Sequence, residues 1–312
     1  MARLLSNLPK VLLLSGPTAV GKSAIGLEIA RRCQVEIING DSLQVYRYLD
    51  IGTAKPDLQE RQLLPHHLFD ILEPDQPFNA TDFQLEADRV IADIHARGAL
   101  PLVIGGTGLY LKALLFGLCQ MPEIDPNIRI GLERRLQSEG SEVLHAELAR
   151  HDAPLAARLA PRDKTRILRA LETVLATGKS ITYYQEQHRF AAPRYNFLHV
   201  FLDLEREQLY QRINQRVEMM IAAGLQHEVE SLLEKGFSPT LKPLQSIGYR
   251  QMIEHLTNRL SLDQAVADIK QATRRYAKRQ LTWFRNDKDA LRIEVSAWRK
   301  ILSLSFFEKF RD

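Results

Sequence analysis

The segment Gly16-Pro17-Thr18-Ala19-Val20-Gly21-Lys22-Ser23 spells G-x-x-x-x-G-K-S, and the apolar run Val11-Leu12-Leu13-Leu14 stands directly before it. A buried strand, a glycine-bearing loop and a helix are thereby required in that order, which is the opening of an α/β sheet protein. The glycines let backbone N–H groups curl around phosphate oxygens. Lys22 adds a mobile positive charge, and the Ser23 hydroxyl can hold Mg²⁺. The helix that opens near Gly21 turns its positive dipole end toward the same anion. All eight residues from Gly16 to Ser23 are therefore expected to bind a pyrophosphate or polyphosphate.

Four short apolar runs read as buried parallel strands: Val11–Ser15, Val35–Asn39, Leu100–Ile104 and Leu198–Leu202. Helical segments alternate with them, Lys22 to Cys33 and Ala80 to Ala96, the second with Thr81 and Gln84 at capping-box spacing. The predicted fold class is α/β: a P-loop parallel sheet flanked by helices, with an all-helical insertion domain. Between about Gln120 and Ala192 strand-like runs vanish and helical patterns follow one another, bracketed by Met121-Pro122 and Ala192-Pro193. The expected division is a core of residues 1–119 and 195–312 and a helical insertion of residues 120–194. After the last strand the chain is mostly helix, ending in a long one from Leu262 to about Arg285.

The stretch Ala99 to Cys119 is apolar enough to test as a membrane span, but Gly105, Gly106, Gly108 and Lys112 interrupt it. It reads as strand, glycine turn and helix. Too few apolar residues precede the P-loop for a signal peptide, and Cys33 and Cys119 show no metal-type spacing. A soluble, cytoplasmic protein is expected, and nothing in the pattern demands more than a monomer.

Two strand ends carry further candidates. The second run ends Asn39-Gly40-Asp41-Ser42, and ligands of open α/β sheets sit at carboxyl ends of strands. Asp41 is placed there as a general base or outer-sphere Mg²⁺ partner, against the blander reading of a turn or helix-cap aspartate. The third run ends Gly105-Gly106-Thr107-Gly108, where three glycines let the backbone approach a ligand and put the Thr107 hydroxyl at the rim. A plain tight turn is the alternative. No aspartate follows that strand, so the Walker-B carboxylate of an ATPase is missing, and Asp203 is a weak substitute. His66-His67 lacks the neighbours of a metal site and reads as a structural pair, with a loop near the active site as the alternative.

A net charge of +4 is mild, so where the positive charge sits matters more than its total. Between residues 270 and 292 eight basic residues face only Asp287 and Asp289, a balance of +6. Arg274, Arg275, Lys278 and Arg279 share one helical face, with Tyr276, Trp283 and Phe284 interleaved. A positive stripe with aromatics suits a nucleic-acid backbone better than a solvated face, which normally mixes signs. A second basic group, Arg129 with Arg162, Lys164, Arg166 and Arg169, lies in the insertion. Arg212 and Arg216, one turn apart, are candidates to face the phosphates. On these residues alone, a P-loop small-molecule kinase and a non-catalytic RNA-binding NTPase both stay open.

Taken together these motifs resemble the bacterial tRNA dimethylallyltransferase family over nearly the whole chain. The resemblance rests on Gly16–Ser23, on Asp41-Ser42-Leu43-Gln44-Val45-Tyr46 with Asp50–Pro56 after it, and on Pro65–Leu68 and Gly105–Tyr110. It extends to Arg212–Val217, Ile247-Gly248-Tyr249 and Arg275–Arg285. One departure is Thr165 before Arg166, where the family usually has glutamine. The zinc-finger extension of eukaryotic relatives is not seen, so the bacterial type is expected.

The resemblance implies transfer of a dimethylallyl group from dimethylallyl diphosphate to an adenosine of the tRNA anticodon stem-loop, with Mg²⁺ as cofactor and no ATP consumed. Catalysis would fall to Asp41, Thr107 and Arg216, and the metal to Ser23. Contacts to tRNA would come from Asp41, Ser42, Leu43, Gln44, Thr107, Arg129, Arg166, Arg169, Arg274, Arg275, Lys278 and Arg279. Within the family, an enzyme acting on free adenine nucleotides is the nearest alternative.

Overall fold

Strands β1 (Lys10–Ser15), β2 (Val35–Asn39), β3 (His66–His67), β4 (Leu100–Gly105), β5 (Asn196–Asp203) and β6 (Ala290–Glu294) form one sheet. Every pairing is parallel, in the order β3-β2-β4-β1-β5-β6. The computed structural model describes residues 7–119, 121, 124–188 and 192–308. The four expected strands are the four inner ones, and β1, β2 and β4 are buried almost throughout, as apolar runs covered on both faces should be. The edge strands β3 and β6 were not expected. The first is two half-buried histidines, and the second buries only Ile293 of its five residues, so neither leaves an apolar run to read.

Helices α1 (Lys22–Ala30), α2 (Leu58–Leu63), α3 (Ala80–Ala96) and α4 (Gly108–Phe116) fill the connections of the first half. The capping box of α3 differs from the expected one. Asn79 is the cap and accepts the Thr81 N–H at 2.8 Å, while Asp82 reaches back to the Asn79 N–H at 2.9 Å. Thr81 already lies inside the first turn, where its own N–H is one of the donors that need a partner.

The chain forms two compact units, Met1–Leu115 with Pro193–Asp312, and Phe116–Ala192. Of the residues expected at the junction, Gln120 and Pro122 lie outside the described residues. The smaller unit consists of α5 (Pro126–Glu139), α6 (Ser141–His151), α7 (Ala153–Ala156), α8 (Lys164–Thr177) and α9 (Ile181–His188). It has its own core, in which Leu132, Leu144, Leu148, Ile167 and Leu171 are at most 2% exposed. Asp152 caps α7 and takes the backbone N–H and hydroxyl of Thr182, tying α9 in.

The larger unit continues with α10 (Arg206–Ala222), α11 (Leu225–Glu234), α12 (Tyr249–Leu256) and α13 (Leu262–Arg285). Two of its apolar clusters involve α13. One lies against the sheet; the other joins Val45 and Leu49 to Val217, Val229, Tyr249 and Met252. The 24 residues of α13 cross both, Ala265 and Ile269 in the helical core and Ala277 against the sheet. At ~1.5 Å per residue the helix is ~36 Å long, enough to run from one core to the other.

Candidate active site

Strand β4 lies between β1 and β2. The P-loop, the 105–108 turn and Asp41 therefore leave three adjacent strands at one carboxyl edge of the sheet. With parallel neighbours ~4.8 Å apart, the P-loop and Asp41 start ~10 Å from each other, with Thr107 between them.

At the P-loop, Lys22 is folded back so that Nζ donates to the carbonyls of Gly16 and Pro17, each at 3.0 Å. Burial of that ammonium, reinforced by the nearby Arg216 and only partly opposed by Asp41, lowers its pKa to about 8. Arg212 and Arg216 face this loop as expected. Arg212 Nη1 donates to the Val20 carbonyl at 3.0 Å, and Arg216 Nη1 lies 3.4 Å from Thr18 Oγ1. Arg216 also donates to the Thr53 carbonyl at 3.3 Å. Burial holds its guanidinium below the usual range, with Asp41 acting in the opposite sense. Two shielded cations beside one loop are unfavourable unless an anion joins them.

Asp41 is positioned by its own strand. Asn39, fully buried, accepts the Asp41 N–H at 2.8 Å and donates to the carbonyls of Asp41 and Leu68. Asp41 Oδ1 then accepts the Leu43 N–H at 2.9 Å, an Asx-type turn that aims the carboxylate. Thr107 is joined to the same turn, its Oγ1 accepting the Ser42 N–H at 3.2 Å. Tyr276 of α13, expected only as an aromatic of the basic stripe, completes the group beside Thr107 and Asp41. Burial and the Asp41 charge keep its phenol protonated well above the ordinary range.

The glycines of the turn serve the chain's own packing. A Cβ on Gly105 would lie 2.1 Å from the Gly40 carbonyl oxygen, one on Gly106 2.2 Å from Gln280 Nε2, and one on Gly108 2.1 Å from Trp283 Nε1. The space beside these glycines is taken by Gly40, just after β2, and by Gln280 and Trp283 of α13. Sequence reasoning missed Gln280, a polar side chain only 5% exposed, because a lone glutamine on a basic helix carries no signal.

Other expected contacts fall differently. Gln44 donates to the carbonyls of Thr53 and Ala54, anchoring the loop that also receives Arg216. Ser42 and Leu43 are half-buried beside Asp41. On α13, Arg275, Lys278 and Arg279 are exposed, but Arg274 is half-buried and bonds Asn214 of α10 at 2.7 Å. In the helical unit Arg129 pairs with Glu133 at 2.8 Å, Arg169 with Glu172 at 3.1 Å and Arg166 with Asp163 at 3.6 Å. That surface is more mixed in sign than its arginines alone indicate.

Asp203 ends β5, beside the P-loop strand, and lies 3.8 Å from Arg292 of β6. His67 joins Arg97 on the buried carboxylate of Glu36, and His66 Nδ1 is 2.9 Å from the Leu64 carbonyl, both structural tasks. Among the described residues no group of three His, Cys, Asp or Glu could hold a metal.

A family profile described as IPP transferase matches residues 44–287. The chain belongs to this IPP transferase family. A tRNA dimethylallyltransferase of Syntrophobacter fumaroxidans is 52% identical over 279 residues, 89% of this chain and 82% of that protein. The crystal structure of a tRNA isopentenylpyrophosphate transferase from Bacillus halodurans is 39% identical with a TM-score of 0.69, covering 95% of this chain and 94% of the other. A eukaryotic dimethylallyltransferase, solved in the course of acting on tRNA, has a TM-score of 0.78 at 29% identity, covering 94% of this chain and 76% of its own.

Proposed function

We propose that this chain transfers the dimethylallyl group of dimethylallyl diphosphate to the exocyclic amine of the adenosine 3′ of the anticodon in tRNA, releasing pyrophosphate. The observation that carries the reading is the convergence of Lys22 and Arg216 on one side with Asp41 and Thr107 on the other, at three neighbouring strand ends.

The exocyclic amine of adenine is a weak nucleophile because its lone pair is delocalised into the ring. Asp41 accepts or orients its proton as the new N–C bond forms. As the C–O bond to the diphosphate breaks, the electron pair leaves with the pyrophosphate. The P-loop N–H groups, Lys22 and Arg216 stabilise that growing charge. Thr107, held by the Ser42 N–H with Tyr276 beside it, fixes the geometry between the two ends. Mg²⁺ fits a site that offers the Ser23 hydroxyl and no carboxylate cage, since this ion keeps several waters and takes other ligands from substrate phosphates. When bound it neutralises diphosphate charge.

The target base must leave its stack to reach these strand ends, at a cost of a few kcal/mol. Arg275, Lys278 and Arg279 on α13 would meet RNA phosphates, as would Arg129, Arg166 and Arg169 of the helical unit. A monomer in the cytoplasm suffices for this reading, since one chain supplies every group. Among the described residues no helix is long and apolar enough to cross a membrane.

The test is incubation with Mg²⁺, labelled dimethylallyl diphosphate and unmodified tRNA, with AMP and ATP in parallel. Label entering tRNA alone is the expected result. Label entering AMP would keep the chemistry and overturn the macromolecular substrate. ATP consumption without label transfer would point to a kinase.

A further inference from the structure

Helix α13 lays a stripe of three side chains along the 105–108 turn. Tyr276 reaches Thr107, Gln280 reaches Gly106, and Trp283 covers Gly108. Their spacing, i, i+4 and i+7, is that of one helical face. The exposed cations Arg275, Lys278 and Arg279 occupy other positions of the same helix.

Gln280 is the member of the stripe that touches two loops at once. Its Oε1 accepts the Thr18 N–H at 2.9 Å, and its Nε2 donates to the Gly106 carbonyl at 3.0 Å. Both ends of a nearly buried amide are thus satisfied. The fit leaves no room for a Cβ at Gly106, which would stand 2.2 Å from Nε2. Thr18 is also the residue whose hydroxyl lies beside Arg216. The bond from Gln280 therefore bears on the part of the P-loop where the second cation is applied.

We propose that Gln280 is a positioning residue of the diphosphate site, pinning the P-loop backbone to the turn that carries Thr107. This rests on the transferase reading given above. Its consequence is that the two halves of the site, cations and base, keep their register only while α13 is seated. The amide does this through one acceptor and one donor, so neither leucine nor glutamate reproduces it. Leucine keeps the bulk and loses both bonds. Glutamate keeps the acceptor for Thr18 and loses the donor to Gly106.

The experiment compares Gln280→Leu and Gln280→Glu with the unaltered full chain. It reads the dissociation constants of inorganic pyrophosphate and of an anticodon stem-loop, kcat and KM for prenyl transfer, and the melting temperature. Losing the hydrogen bonds should weaken pyrophosphate binding and lower kcat, each by about tenfold. Stem-loop affinity should stay within about twofold, because the cations of α13 are untouched. Gln280→Glu should fold with a lowered melting temperature, because its carboxylate faces the Gly106 carbonyl in a nearly buried site, and should show the kcat loss while stem-loop affinity is kept. Unchanged pyrophosphate binding and kcat in both variants would overturn the proposal. So would equal losses for both ligands that track a lowered melting temperature, the mark of a merely structural role. If the unaltered chain failed to prenylate tRNA, the functional reading would fall, while the pyrophosphate comparison would still decide the role of Gln280.

Discussion

Arg216 Nη1 stands 3.4 Å from the hydroxyl of Thr18, and the Arg216 charge is the second-largest cause, after burial, of the lowered pKa of Lys22, about 8. The folded protein therefore releases the Lys22 proton more readily than the unfolded chain. Between about pH 8 and the ordinary lysine value the unfolded state binds more protons, so the cost of burying this charge is present below pH 8 and fades as pH rises through that window. A bound diphosphate reverses the balance by favouring the charged ammonium. Because pyrophosphate itself titrates in this range, the Lys22 share is the difference in proton uptake between the unaltered chain and Lys22→Gln, which should be clear above pH 8 and near zero at about pH 6.5. Calorimetry in buffers of different ionisation enthalpy measures this, and affinity should decline as pH rises past 8. A difference near zero at both pH values would show that Lys22 is charged throughout.

Asp41→Ala removes the group placed to take the amine proton but leaves the P-loop and the basic face of α13 intact. Turnover should fall by about 10²–10⁴-fold, the range of general-base assistance. Binding of tRNA should stay near normal in a filter or fluorescence assay. Equal loss of binding and turnover would remove the base assignment.

How far these features were legible follows from their physics. The P-loop could be read because its glycines, lysine and preceding strand are all consecutive in the chain. Asp41 and Thr107 could be located because each ends an apolar run, and strand ends are where open sheets place ligands. That β4 would lie between β1 and β2 was not legible, since strand order is decided by crossovers rather than by local composition. The same holds for Gln280 and Tyr276. Their partners lie far away in sequence, and on the helix they look like ordinary members of a basic amphipathic pattern. Arg274 carries a further lesson, for helical periodicity groups it with Arg275, Lys278 and Arg279, and only the tertiary packing shows that it is half-buried and bonds Asn214.

Arg275, Lys278 and Arg279 are exposed on α13. Each that meets a phosphate should lower the slope of log affinity against log salt by about one when replaced by alanine. Affinity itself should drop alike for any stem-loop sequence. Arg274→Ala should instead lower thermal stability and leave the salt slope nearly unchanged, because its guanidinium is committed to Asn214. A titration from low to moderate salt separates the two behaviours. A slope change for Arg274→Ala as large as for Arg275→Ala would show that all four arginines and lysines act as one face.

Glu228 of α11 holds the loop on which Arg216 and Gln44 rest. Its carboxylate accepts the N–H groups of Asp50, Ile51 and Gly52 at 3.0, 2.6 and 3.1 Å, and the Tyr249 hydroxyl at 2.6 Å. The next residue, Thr53, offers its carbonyl to both Gln44 and Arg216. Removing the carboxylate orphans several backbone donors together. Glu228→Ala should therefore destabilise the fold by about 3 kcal/mol, the scale of a lost charge-assisted hydrogen bond with its partners left unpaired. Tyr249→Phe loses only one bond and should cost ~1 kcal/mol. Because the slackened loop frees Arg216 from Thr53, Glu228→Gln should also shift the high-pH limb of the rate profile upward. Arg216 then repels the Lys22 ammonium less, and the Lys22 pKa rises from about 8. Chemical denaturation gives the first two values. A pH–rate profile of Glu228→Gln gives the third, and an unmoved high-pH limb would mean that the loop does not govern the position of Arg216.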